Sequence, residues 1–153
     1  MTVAARVSAR KKNDISGLQY AALPYCLSID RRLEILLITS RRTRRWIIPK
    51  GWPIEGLTPW DCAAREALEE AGVSGEVQQE SIGYYHYFKQ LKNNISIPCK
   101  VEVYALRVTR RRESWDEMDE RELRWCSVSE AVALVNEPEL PDLLLEAAAK
   151  LIR

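Results

Sequence analysis

One histidine, one phenylalanine and two methionines are all that 153 residues contain of these types. The lone His86 leaves no imidazole set for zinc, and a solitary histidine is more often structural or exposed than catalytic. Four cysteines, Cys26, Cys62, Cys99 and Cys126, are widely spaced with no C-x-x-C pair, which removes dithiol redox chemistry and zinc-ribbon sites. They read as free thiols of a reducing compartment, and the expected location is cytoplasmic. No run of about 18 apolar residues exists, so no membrane-spanning helix is expected. The formal net charge of +1 gives no global case for nucleic acid or a membrane surface, so any anion site must come from local clustering. The first residues carry Arg6, Arg10, Lys11 and Lys12 without an apolar core, which argues against a secretory peptide and leaves an organellar transit segment as a minor alternative. Residues 1–15 are expected to form a flexible basic tail and residues 16–153 one domain.

What is present is ordinary globular material, 46% hydrophobic and 29% charged, with enough length to bury a core. Its centre is the stretch from Gly51 to Val73, GWPIEGLTPWDCAAREALEEAGV. Thr58 offers an N-cap oxygen, Pro59 suits the first helical position, Asp61 stands where a capping box closes, and Gly72 supplies a left-handed C-cap. At about 100° per residue, Glu66, Glu69 and Glu70 share one arc, with Trp60, Ala64, Ala67, Leu68 and Ala71 roughly opposite. Three like charges at this spacing repel, which calls for something positive among them. Oxygen-only ligands suit a hard divalent cation, Mg²⁺ foremost and Mn²⁺ as a substitute. The bland reading of such a run is a solvated helix face.

The stretch resembles the Nudix box of pyrophosphate hydrolases: Gly51, Arg65, Glu66, Ala67, Glu69, Glu70, Gly72 and Val73 all fall in register. One position departs, because the first glutamate of the pattern falls at 57, where this chain has Leu57. The departure bears on activity more than on fold. The resemblance implies metal ligation by Glu66, Glu69 and Glu70, with the Gly51 carbonyl as a further ligand. Glu66 or Glu69 would serve catalysis, one glutamate acting as general base, while Arg65 orients the glutamates rather than touching substrate. It also implies an additional acid from a late loop, for which Glu117 and Glu120 are equal candidates. The run Arg45-Trp46-Ile47-Ile48-Pro49-Lys50-Gly51 is similar to the lead-in found in the diphosphoinositol-polyphosphate and dinucleoside-polyphosphate branch.

In chain order, residues 18–29 read as a strand that Pro24 makes an edge, a bulge or a break. Residues 33–40, LEILLITS, read as a central strand covered on both faces. Arg41-Arg42-Thr43-Arg44-Arg45 follows, and guanidinium forks suit phosphate oxygens. Arg41, Arg44, Arg45, Lys50 and Lys89, in falling order, are the anion-binding candidates. Residues 76–88 and 95–108 read as a long hairpin turning at Asn93-Asn94, whose Tyr84, Tyr85, Tyr87 and Phe88 are core or cross-strand pairs before they are a stacking platform for a base. The run 113–120 reads as a solvated acidic loop. A last strand over 122–126, a capping box at Ser127 to Glu130 and a final helix over 142–152 complete an α/β chain. The expected fold is a Nudix-type α/β/α sandwich with a mixed β-sheet.

The expected activity is divalent-metal-dependent hydrolysis of a phosphoanhydride in a nucleoside- or inositol-linked pyrophosphate, with diphosphoinositol and dinucleoside polyphosphates favoured. The alternative is a Nudix-fold binding module for a nucleotide or phosphometabolite, which Leu57 motivates. The expected partner is a small pyrophosphate; nucleic acid and membrane are not, and the sequence says nothing of oligomeric state.

Overall fold

A computed structural model describes residues 17–152. The expected basic tail over residues 1–15 lies outside the described residues. Among the described residues eight strands form one mixed sheet in the order β3-β2-β1-β7-β5, with β4 on β1, β6 on β7 and β8 on β2. They span β1 Gly17–Leu27, β2 Leu33–Thr39, β3 Trp46–Ile47, β4 Lys50–Gly51, β5 Val73–Val77, β6 Gly83–Gln90, β7 Ser96–Arg111 and β8 Leu123–Ser127. Among the strands of the described residues only β1 and β7 pair in parallel; the other strand pairs are antiparallel. Among the described residues three α-helices cover the sheet: α1 Pro59–Ala71, α2 Val128–Leu134 and α3 Leu140–Leu151. Among the described residues no helix is long and apolar enough to cross a membrane.

Alternation within the strands builds two cores. Ile35 and Leu37 of β2, Val101, Val103 and Ala105 of β7 and Leu23 of β1 join Leu140, Leu143, Leu144 and Ala147 of α3 in one buried cluster. Their neighbours Leu36, Ile38, Tyr104, Leu106 and Ala22 meet Ala63, Ala67 and Ala71 of α1 in the other. A strand that feeds both cores needs apolar residues at consecutive positions, which is why LEILLIT shows no alternation. The α/β/α sandwich follows.

Pro24 does not mark an edge. β1 is central, pairing with β7 along one side and with β4 and then β2 along the other. Ala22 N–H donates to the Pro49 carbonyl at 3.0 Å, and Pro24, two residues on, faces the same side between the β4 and β2 segments. Its missing N–H falls where no ladder bond is required. Nor is 76–88 one strand: β5 and β6 are separate, joined by the polar residues 78–81 and the buried Ile82, and both pair with β7. The hairpin turn is where expected, with Asn93 at φ 68° and Asn94 at φ 60°.

The caps of α1 form as its sequence dictates. Thr58 Oγ1 accepts the Asp61 N–H at 3.2 Å, and Gly72 ends the helix at φ 67°. The reciprocal half of the box forms in α2, where Ser127 and Glu130 exchange both bonds, but α1 forms only the Thr58 half. A Cβ on Gly72 would lie 2.3 Å from the Trp115 ring. Gly72→Ala therefore combines left-handed strain with a displaced indole, an expected loss of about 2–3 kcal/mol. Calorimetry should show the Tm lower by roughly 5–10 °C; an unchanged Tm would count against both the strain and the clash.

Candidate functional site

β4 and α1 meet where the Gly51 backbone runs against Glu66. A Cβ at Gly51 would lie 2.3 Å from Glu66 Oε2, so only glycine leaves that carboxylate its place. Glu70, one turn further along α1, is only 6% exposed. Its Oε1 accepts the Lys50 N–H at 3.3 Å and its Oε2 lies 3.5 Å from Arg121 Nη2. Glu70 thus belongs to the packed side of α1 together with Cys62, Ala63, Ala67 and Ala71. The expected division into an apolar face and an open acidic face is corrected: Trp60, Ala64 and Leu68 are half-buried, and the buried line passes through a carboxylate.

Burial sets the electrostatics. It pushes the Glu70 carboxyl up to about 8, against the opposing pull of the Arg121 guanidinium, while the Glu66 charge adds to the rise. Glu66 is raised by burial first and by the Glu69 charge second, with a hydrogen bond to Glu70 working the other way. Lys50 is lowered to about 8 because burial outweighs the attraction of Glu70. Its ammonium stands 4.8 Å from the centre of the Tyr87 ring.

These groups open into a cleft of about 710 Å³. Glu66, Glu70, Glu117 and Gly51 line it together with Arg41, Arg42, Arg45, Lys50 and Lys89. Glu69 does not line it; its carbonyl accepts the Glu117 N–H at 3.0 Å and so anchors the late loop. Arg65 is exposed outside the cleft. Arg44 turns away to the Glu120 carbonyl at 3.0 Å and the Glu122 carboxylate at 3.4 Å. Of the two candidate late acids, Glu117 faces the cleft, whereas Glu120 lies outside it, paired with Arg41 at 3.2 Å. Arg42, Arg45, Lys50 and Lys89 make no ion pair among the described residues.

Sequence reasoning placed Arg42 in the phosphate-suited run without ranking it among the candidates, and it missed Trp52, Glu137 and Arg121. Lys89 sits 6.0 Å from the Trp52 ring, and Glu137 enters from the loop between α2 and α3. Arg121 had one visible signal, its place four residues after Glu117. Leu57 packs against the apolar cluster beside α1.

Among the described residues no three acid, histidine or cysteine side chains converge into a ready-made ion cage. The cleft still offers an all-oxygen donor set in Glu66, Glu70, Glu117 and the Gly51 main chain. That chemistry fits a hard cation that shares its coordination with water and phosphate, and it does not fit zinc. None of the four free cysteines lines the cleft, and His86, bonded to Glu139 at 3.1 Å, is outside it.

Fold and site define an α/β/α sandwich in which an acidic helix and a basic rim share one cleft. Residues 22–147 match the NUDIX domain, and the chain belongs to that family. It is 32% identical over 114 residues to Nudix hydrolase 13, mitochondrial, of Arabidopsis thaliana, covering 71% of this chain and 56% of the relative. To human diphosphoinositol polyphosphate phosphohydrolase 3-beta it is 30% identical over 125 residues, 80% of this chain and 72% of the relative. The chain spans little more than half the length of the Arabidopsis relatives Nudix hydrolases 13 and 12, at 56% and 52%. The C. elegans Ap4A hydrolase shares the fold, with a TM-score of 0.64 at 21% identity over 88% of this chain and 97% of that one.

Proposed function

We propose that this chain hydrolyses a phosphoanhydride in a nucleoside- or inositol-linked pyrophosphate with Mg²⁺ bound, and that Mn²⁺ substitutes for it. The observation that carries this reading is the juxtaposition in one cleft of Glu66, Glu70 and Glu117 with four cations that have no ion-pair partner among the described residues. Acids alone would repel a polyphosphate; the cationic rim draws it in and a bridging cation joins the two. Glu66, Glu70, Glu117 and the Gly51 carbonyl would hold Mg²⁺, which when bound supplies charge neutralisation and an acidified water. Arg42, Arg45, Lys50 and Lys89 would take the non-reacting phosphate oxygens and hold the chain in line. Glu69 anchors the Glu117 loop through its carbonyl rather than reaching substrate. Diphosphoinositol and dinucleoside polyphosphates are the favoured substrates, supported by the human relative and by the Arg45-to-Gly51 run.

Phosphorus NMR tests the reading. Diadenosine tetraphosphate, a diphosphoinositol polyphosphate, ADP-ribose and ATP would each be incubated with wild type and with Glu66→Gln in millimolar Mg²⁺. Cleavage by wild type alone supports the hydrolase and identifies the attacked phosphorus. Binding without cleavage, in Mg²⁺ and in Mn²⁺, would favour the second reading, a binding module, for which Leu57 is the motivating residue.

The raised Glu70 carboxyl gives a pH signature. The folded metal-free protein keeps a proton there that the unfolded chain releases near its ordinary carboxylate pKa, so stability falls as pH climbs from about 4.5 towards 8. A cation displaces that proton and removes the penalty. The Tm in EDTA is expected to drop between pH 5.5 and 8, and the drop to shrink with 5 mM Mg²⁺. Superimposable profiles with and without Mg²⁺ would count against Glu70 as a ligand.

A further inference from the structure

Arg121 closes the acidic run that reads as solvated loop in the sequence, yet its side chain is only 7% exposed. Burying a guanidinium carries a desolvation penalty of several kcal/mol, roughly, unless its donors are satisfied. Here Nε donates to Glu117 Oε1 at 2.8 Å, Nη1 donates to the Thr39 carbonyl at 3.0 Å, and Nη2 lies 3.5 Å from Glu70 Oε2. The planar fork therefore spans both walls of the cleft, one carboxylate from α1 and one from the late loop. It is anchored to the sheet as well. Thr39 is buried at the end of β2, its N–H donates to the Glu122 carbonyl at 3.1 Å, and its hydroxyl accepts the Glu122 N–H at 2.9 Å.

The main chain of the late loop is held independently. Arg112 N–H donates to the Gly72 carbonyl at 2.8 Å, Glu117 N–H donates to the Glu69 carbonyl, and the Trp115 ring lies against Gly72. These contacts place the Glu117 backbone at the C-terminal end of α1 but leave its side chain free to swing. Arg121 is what fixes that side chain. Among the described residues no other cation pairs with Glu66, Glu69 or Glu70, and the box's own Arg65 faces solvent.

We propose that Arg121 is the positioning residue of this site: by engaging one oxygen of Glu117 and one of Glu70 at once, it sets the two carboxylates from different elements in a fixed mutual orientation for a divalent cation. The proposal rests on the metal-dependent reading above. It is separable from mere charge balance, because the two roles move cation affinity in opposite directions. Removing a neighbouring positive charge alone would tighten a dication; releasing two ligands from their orientation weakens it, by about 10–100-fold when an outer partner of a metal ligand is lost.

The test is titration of Mn²⁺ alone, followed by electron paramagnetic resonance, on the full chain as wild type, Arg121→Met and Arg121→Lys, with folding checked by circular dichroism. Arg121→Met is expected to bind Mn²⁺ at least tenfold more weakly. Arg121→Lys, which keeps the charge and lacks the fork, is expected to be weakened several-fold as well, and it carries the test if the methionine variant does not fold. On a substrate that wild type cleaves, both variants should lose kcat with KM within about threefold of wild type. Variant affinity equal to or tighter than wild type overturns the role of Arg121 and leaves the hydrolase reading standing. Wild type that binds no Mn²⁺ overturns the metal reading itself, and the proposal with it.

Discussion

Glu66→Gln is expected to lower kcat at least a thousandfold while leaving the metal-free fold as stable as wild type or slightly more so. The side chain keeps its volume, so its packing under Gly51 survives. What it loses is a negative charge that the site already penalises, since burial and the Glu69 charge both raise the Glu66 carboxyl. Without metal the substitution relieves repulsion, and the Tm in EDTA should rise by about 1–3 °C, less than 1 kcal/mol. In the proposed Mg²⁺-dependent reaction the same carboxylate would help hold a cation whose stabilisation of developing charge is worth several kcal/mol. Losing about 4 kcal/mol of it is a thousandfold in rate. Single-turnover kinetics at saturating substrate measure the loss directly. A kcat within tenfold of wild type would remove Glu66 from the machinery.

Gly51→Ala is the second large effect, and it separates position from chemistry, because no titratable group changes. The added methyl would meet the Glu66 carboxylate at 2.3 to 2.8 Å, so something must give way. The flexible end of the glutamate yields before the backbone does, since β4 is fixed by its pairing with Tyr20 and Ala21 of β1. A shift of about 1 Å in a reacting constellation costs roughly a hundredfold in rate. Accordingly kcat should fall a hundredfold or more, with the Tm within about 3 °C of wild type, a change of about 1 kcal/mol. A fall in both Tm and activity by the same fraction would instead mark Gly51 as a folding residue.

The parts of this molecule that depend on near neighbours in sequence could be read from it. Thr58, Pro59 and Gly72 announce α1 because caps act within a turn, and the doubly covered β2 announces itself by apolar residues at consecutive positions. The Ser127 capping box is legible for the same reason. Pro24 misled because its tolerance depends on the gap between two partner strands that arrive from elsewhere in the chain. Glu117 and Glu120 are equivalent in sequence and distinct in space, where a carbonyl of α1 takes hold of one and an exposed arginine takes the other. Arg44 and Arg45 are adjacent arginines, but the left-handed backbone at Arg44, φ 55°, helps send the two side chains to different places. Arg121 stayed hidden although Glu117 stands four residues before it, because its other partners, Thr39 of β2 and Glu70 of α1, arrive from elsewhere in the chain.

The parallel seam between β1 and β7 joins positions roughly eighty residues apart, from Gly17 opposite Cys99 to Tyr25 opposite Arg107. Closing so long a loop carries its entropic cost before the pairing returns any stability, so this seam belongs to the slow part of folding. β4 brings Lys50 and Gly51 to β1, and the loop bearing Glu117 and Arg121 leaves from the end of β7. The two walls of the cleft are thus mounted on opposite sides of a long-range join. A chain with α1 already wound, its glutamates in register and its caps in place, would still lack the proposed cation site until the sheet is whole, so metal binding would report completed folding rather than the presence of the motif.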